Sequence, residues 1–317
     1  MRRLTASTRG SALALCQTNW AADRLKFLHP DLEIEVRVVK TKGDKILDVP
    51  LAKIGDKGLF VKELEQALLR GEIDFAVHSM KDVPTQTPDG LCIAAVPERV
   101  DPSDAFVSAR PRLADLPGGA RVGTSSLRRR AQLQSYRPDL RILDLRGNLD
   151  TRLRKLDAGQ YDAIVVACAG LYRMGWADRI TEKLPLEICL PAVGQGALAI
   201  QARQDDSATL ALLAKLDHAD SRASVLAERS LMSALGGGCQ IPVGALASVK
   251  DGPPRRMTLA GVVASLDGAR LVRAEVTGDP SKPEELGIGL ANVLLARGAD
   301  DILRELRSRS SGVVTGR

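Results

Sequence analysis

Short apolar runs alternate with amphipathic helical stretches along most of this chain, and that alternation restricts its fold more than any other feature. Phe75 to Val77, Leu91 to Val96, Ile142 to Leu145, Ile164 to Ala167 and Ala197 to Ala202 are too short for helices and read as strands. Residues 2–6, and Ile34 to Val39 with its alternating pattern, read the same way. Between them, Ser11 to Leu28, Phe60 to Arg70 and Leu149 to Ala158 carry apolar residues at helical spacing. Strand–helix alternation in two successive halves predicts two α/β domains facing each other. The last hundred residues differ. They read as helix, three alternating strands (244–249, 257–263, 270–276) and two helices (283–297, 299–308), a small α+β module with a frayed polar tail from Ser308. The expected division is 1–97 with 197–216, then 98–196, then 217–317, with Pro191 to Gly196 as a hinge. Asp101 to Gly119, punctuated by Pro102, Pro111 and Pro117, reads as the crossing into the second domain.

Composition narrows the class. The chain has 317 residues, 44% hydrophobic and 26% charged, as in a globular protein of two or three domains. No run reaches the roughly 18 to 20 apolar residues of a membrane span. Met1-Arg2-Arg3-Leu4-Thr5 has no apolar stretch of the secretory kind, so a cytoplasmic location is expected. Five scattered cysteines and three histidines give no ligand spacing for zinc, and no metal is expected.

Candidate chemistry gathers at strand ends. After Phe75 to Val77 the chain delivers His78, Ser79, Lys81 and Asp82 before Pro84. Loops at the ends of α/β strands are where function concentrates. Arg128, Arg129, Arg130, Arg137, Arg141, Arg146, Arg152 and Arg154 crowd one region, which suggests an anionic partner. Only Tyr136 among them is aromatic, poor for stacking nucleic-acid bases, so a carboxylate- or phosphate-rich small molecule fits as well. Gly123-Thr124-Ser125-Ser126 before a basic helix start forms an anion-receiving turn. Cys239, after Gly236 to Gly238, differs from Cys92 and Cys168, which sit in apolar runs: glycines let a backbone expose a thiol. No Walker loop or GxGxxG is present.

These stretches, in order, resemble the porphobilinogen deaminase (hydroxymethylbilane synthase) family. They are Ser7 to Ser11, Lys53 to Phe60 with Lys62 to Glu65, His78 to Pro84, Gly123 to Arg129, Leu145 to Asn148 with Thr151-Arg152, Ala169 to Leu171, Pro191 to Gly196, and Gly237 to Cys239. Asp56 stands where a second glycine is common, Cys16 where an aromatic is, and Gln201 where a Glu is. The resemblance implies two periplasmic-binding-protein-like α/β domains with a hinge plus a small α+β C-terminal domain. It implies a dipyrromethane cofactor on Cys239 by thioether, addition of four porphobilinogen units with loss of ammonia, and hydrolytic release of a linear tetrapyrrole in haem biosynthesis.

The same resemblance implies that Asp82 is catalytic. Cofactor contacts fall to Lys81, Asp82, Thr124, Ser125, Ser126, Arg128, Arg129, Arg146 and Gly170. Substrate contacts fall to Arg9, Ser11, Gln17, Lys53, Lys57, Phe60, Ser79, Arg146, Arg152, Arg173 and Gln195. The chemistry agrees: pyrrole acetates and propionates need fixed cations, and positive charge developing near a pyrrole nitrogen needs a carboxylate. Partners are porphobilinogen and the growing chain, with no nucleic acid, no membrane and a monomeric state. Two rival readings are a solute receptor of the same architecture, and a pyridoxal phosphate enzyme with Lys81 in a Schiff base.

Overall fold

The computed structural model describes residues 2–39, 61–109, 111–237 and 241–312. They divide into two compact units: residues 1–102, 168–177 and 194–222, and residues 103–167, 178–193 and 223–317.

The first unit holds a five-stranded sheet. Strand β1 (Arg2–Thr8) leads to helix α1 (Ala12–Leu28), β2 (Leu32–Val38), α2 (Lys62–Leu69), β3 (Phe75–Ser79) and β4 (Leu91–Ala95). The order is β2-β1-β3-β10-β4, where β10 is Leu198–Arg203. β1 runs parallel to β2 and β3, while β10 lies antiparallel between β3 and β4. Because successive strand side chains alternate faces, Phe75 and Val77 pack with Ala21 and Leu25 of α1. Ala76 turns the other way, to Leu64, Ala67 and Leu68 of α2. Ser11 caps α1 by accepting from Ala14 N at 3.2 Å. Of the expected α2 face, Leu64, Ala67 and Leu68 are buried, and Phe60 lies outside the described residues.

The second unit repeats the pattern with β5 (Asp104–Ser108), β6 (Arg121–Gly123), α3 (Leu127–Tyr136), β7 (Arg141–Leu143), α4 (Leu149–Asp157), β8 (Ala163–Ala167) and β9 (Glu182–Lys183). Its order is β7-β6-β8-β5-β9, with β6 parallel to β7 and β8 and the inserted β5 antiparallel to both its neighbours. Helix α5 (Cys168–Arg173) follows β8 in sequence and belongs to the first unit, as does α6 (Ser207–Leu213). A three-stranded antiparallel sheet, β11 (Val243–Lys250), β12 (Arg256–Ala264) and β13 (Leu271–Gly278), completes the second unit. The C-terminal half of α7 (Ala219–Ala234) and helices α8 (Pro283–Leu294) and α9 (Asp300–Gly312) pack on it through Leu231, Leu290, Leu294 and Ile302.

Three features depart from the sequence reading. The Pro-rich crossing contains a strand, β5, whose Ala105, Phe106 and Val107 are buried in the middle of the sheet. Residues 168–177 cluster with the first unit, and the C-terminal region clusters with the second sheet. The tail is helical to Gly312, because no proline interrupts it after the turn at Gly298 (φ 99°).

Candidate active site

In the first unit, β3 ends at Ser79 and passes into a single 3-10 turn, Met80–Asp82. Met80 N donates to the Ala197 carbonyl at 3.0 Å, which ties the turn to the start of β10. Gly194 lies against it: a Cβ there would meet Met80 Cγ at 2.5 Å, and its φ of +71° suits glycine alone. Gly194 thus packs closely on the turn that carries Asp82. Ser79 and the buried Gln17 of α1 share hydrogen bonds of 3.0 and 3.2 Å. Behind them runs a buried chain: His78 Nε2 to Gln201 Oε1 at 3.0 Å, and Gln201 Nε2 to Glu65 Oε1 at 3.1 Å. Burial draws the His78 pKa down to about 4, against the pull of the Gln201 hydrogen bond and with help from the charge of Arg9. His78 is therefore a neutral core histidine, unsuited to act as a base near neutral pH.

Asp82 is half-buried, and among the described residues no side chain hydrogen-bonds or ion-pairs with its carboxylate. Arg9, Ser11 and Lys81 are half-buried in the same unit. Arg173, closing α5, donates from Nη2 to the Gly196 carbonyl at 2.7 Å, and its own carbonyl accepts from Cys16 Sγ at 3.0 Å. Burial lowers its pKa to about 10, so the guanidinium stays charged at neutral pH while poorly solvated. Gly170 is a buried position within α5. Gln195 is also buried, and its amide donates to the Pro102 carbonyl at 2.7 Å, a contact that ties its loop to the segment before β5.

In the second unit, the turn 124–126 precedes α3. Ser126 caps the helix through Arg129 N, and Thr124 Oγ1 accepts from Ser126 N at 3.2 Å. Both hydroxyls accept there and keep their own hydrogens to donate. Ser125 is different: it donates to the Leu145 carbonyl at 2.9 Å and accepts from Leu145 N at 3.0 Å, clasping this turn to the Arg146 loop. Arg152 Nε donates to the Gly147 carbonyl at 2.8 Å. Arg146 carries a buried Nη1 that has no hydrogen-bond partner among the described residues.

Arg128 and Arg129 are 4% and 5% exposed and turn inward onto Asp104, which is 0% exposed. Arg128 Nη1 reaches Asp104 Oδ2 at 2.6 Å; Arg129 reaches Oδ1 from Nε at 2.9 Å and Nη2 at 2.7 Å. Burial pushes the Asp104 carboxyl up, but the two guanidinium charges outweigh it and hold it well below the usual carboxylate range. Cys189 donates to Asp104 Oδ2, and burial pushes its thiol up to about 12. Sequence reasoning missed Asp104. The apolar Ala105-Phe106-Val107 run beside it is the signal that would have placed it on a strand. Cys239, Lys53 and Lys57 lie outside the described residues.

In the first unit an aspartate stands at a strand end with no described side chain on its carboxylate; in the second, a turn carries hydroxyls beside arginines, donors suited to carboxylates. Residues 4–211 match the family model "Porphobilinogen deaminase, dipyromethane cofactor binding domain", and residues 223–296 match its C-terminal domain. A porphobilinogen deaminase of Desulforudis audaxviator is 55% identical over 308 residues, 97% of this chain and 99% of that one. One of Desulforamulus reducens is 52% identical over 307 residues, 96% and 98% of the two chains. Among solved structures, a putative methionine-binding lipoprotein of Bacillus subtilis aligns at a TM-score of 0.40 with 15% identity, covering 68% of this chain and 90% of its own. The chain belongs to the porphobilinogen deaminase family.

The residues fit the dipyrromethane cofactor that this family model names. Such a group presents carboxylates and pyrrole N–H donors. The second unit offers two buried arginine nitrogens without a partner among the described residues, Arg128 Nε and Arg146 Nη1, and two hydroxyls with hydrogens to give. Among the described residues no cluster of metal-binding side chains occurs, and no helix is long and apolar enough to cross a membrane.

Proposed function

We propose that Asp82 is the catalytic group with which this protein polymerises porphobilinogen for tetrapyrrole biosynthesis. Four units are joined head to tail with loss of ammonia, and the linear product is released by hydrolysis. The observation that carries the assignment is the Asp82 carboxylate: half-buried, at a strand end, with no described side chain taking its charge. A carboxylate held this way can pass a proton to the departing amine, stabilise the positive charge that then develops at the pyrrole nitrogen, and regain a proton from the reacting carbon once the new bond has formed.

The dipyrromethane, borne by Cys239, supplies the nucleophilic pyrrole carbon at which units are added. Arg146, with Arg128, Arg129, Lys81, Thr124, Ser126 and Gly170, holds its acetates, propionates and ring nitrogens. Ser125 serves that set by clasping Leu145. Arg9, Ser11, Ser79, Arg152 and Arg173 bind incoming units, with Gln17 orienting Ser79 and Gln195 bracing its loop; Lys53, Lys57 and Phe60 complete the set. The poor solvation of Arg173 favours this role, because a carboxylate restores the partners that burial removed. The working form is a cytoplasmic monomer without nucleic acid, of three domains in the sequence order given above.

Intact mass before and after incubation with porphobilinogen tests the reading. Purified protein should carry two pyrrole units beyond the polypeptide and show a ladder of further additions, and Cys239→Ala should show neither. A purely polypeptide mass that never gains pyrrole units overturns it in favour of a binding protein.

A further inference from the structure

Arg273, on β13, reaches into the buried network of the second unit. Its Nη2 donates to Gln132 Oε1 at 2.8 Å and its Nη1 to the Leu186 carbonyl at 3.2 Å. Gln132 is 1% exposed and stands one helical turn after Arg128 on α3. Its Oε1 also accepts from Leu190 N at 2.9 Å; its Nε2 donates to the Leu190 carbonyl at 3.1 Å and the Arg128 carbonyl at 3.3 Å. The Leu190 carbonyl accepts Arg128 Nη1 as well. A continuous path therefore runs from Arg273 through Gln132 and Leu190 to the Arg128–Asp104 pair. Two further contacts bring the C-terminal sheet to the same place. Ala245 N of β11 donates to the Pro191 carbonyl at 2.9 Å. Gly268, in the β12–β13 turn, lies so close to α3 that a Cβ would come within 2.4 Å of the Ala131 carbonyl.

We propose that Arg273 is a positioning residue for the carboxylate-binding cluster, acting through the amide of Gln132. An amide can present its oxygen or its NH2 to either side. A guanidinium has only donors, so Arg273 admits only the oxygen on its side. That choice turns the NH2 toward the Leu190 carbonyl and fixes the point on which Arg128 also rests. Without Arg273, Leu190 N alone holds the amide oxygen, and Arg128 loses a rigid neighbour at the helix turn that receives carboxylates. The C-terminal module thereby tunes a site made by another part of the unit. The inference rests on the reading of Arg128 and its turn as a carboxylate site.

The test uses the full chain with its cofactor and the variants Arg273→Met, Arg273→Lys, Gln132→Glu and Arg128→Met. It measures kcat, KM for porphobilinogen, the intact mass and the thermal midpoint. Arg273→Met should lose about tenfold in kcat/KM, mainly through KM, as expected when a binding group is displaced rather than removed. Its midpoint should fall by only a few degrees, and Arg273→Lys, which keeps one donor on Gln132, should restore KM. Unchanged KM in Arg273→Met overturns the proposal; so does a loss that follows the midpoint and is not rescued by Lys. If Arg273→Met does not fold, Gln132→Glu reads the same path: it keeps a partner for Arg273 but loses the donor to Leu190, and an unchanged KM overturns the proposal. Arg128→Met separates the two levels. Full cofactor mass and turnover there would remove the carboxylate reading itself; an inactive Arg128→Met beside a normal Arg273→Met would remove only the positioning role.

Discussion

Asp82 and Asp104 stand close in sequence and are treated in opposite ways. Asp82 follows β3 in a half-buried 3-10 turn, with its carboxylate unclaimed by any described side chain. Asp104 opens β5 in full burial, with Arg128 and Arg129 on its two oxygens. The carboxylate of Asp104 is engaged by two arginines inside the fold, whereas that of Asp82 meets no described side chain, which is the contrast on which the catalytic proposal for Asp82 rests. The difference also divides the arginines, because Arg128 and Arg129 face inward to Asp104 while Arg146 keeps a buried nitrogen without a described partner.

The comparison can be broken at each member. Asp82→Asn should cost a hundredfold or more in turnover, the usual range for a group that both stabilises charge and moves a proton, and should leave the unfolding midpoint unchanged. Near-normal turnover would end the catalytic assignment. Asp104→Asn should behave in reverse, costing about 3–5 kcal/mol of stability in urea unfolding, because it strands two buried guanidiniums. A stable Asp104→Asn protein with weakened catalysis would show that Asp104, too, faces substrate.

The third effect is smaller and lies behind the Asp82 turn. His78 has a folded pKa of about 4 against an ordinary 6.5, so the unfolded chain binds its proton first as pH falls. The stability linked to neutral His78 is complete above pH 6.5 and is lost as pH falls toward 4. The shift corresponds to about 3 kcal/mol. Gln201 and Arg9 are the groups that act on this imidazole. His78→Gln should flatten the acid side of the stability curve between those limits, measured by thermal melts across pH; an unchanged slope would place the acid sensitivity elsewhere.

Much of this was readable from the chain because it is local. The β3 run and its polar exit were visible in ten residues, as was the start of α1 near Ser11, since periodicity acts over a few positions. The long-range partners were not visible. Nothing in Arg128-Arg129 announces that both guanidiniums turn toward an aspartate in a Pro-flanked stretch that reads as a linker. Ser125 was expected as an anion donor, but its hydroxyl is occupied by Leu145, a pairing set by where β7 ends. Arg273 lies in a module whose sequence showed only strands and helices, and its reach to Gln132 depends on how the β12–β13 hairpin docks on α3. Local rules give elements and loops; which polar side chains spend themselves on one another is decided by packing.

The shared strand order has a consequence for synthesis. Both sheets place one antiparallel strand between the third parallel strand and an edge strand. The second sheet receives that strand, β5, before its other members, so β8 and β9 find it already made when they emerge. The first sheet receives β10 last, after the whole second sheet has been translated. Until then β4 lacks its strand partner, because among the described residues it pairs with β10 alone. On the ribosome, then, the sheet that carries Asp82 is begun first and finished second. Its unfinished edge must wait, exposed to chaperones or to other chains, while the residues from 96 to 197 are added.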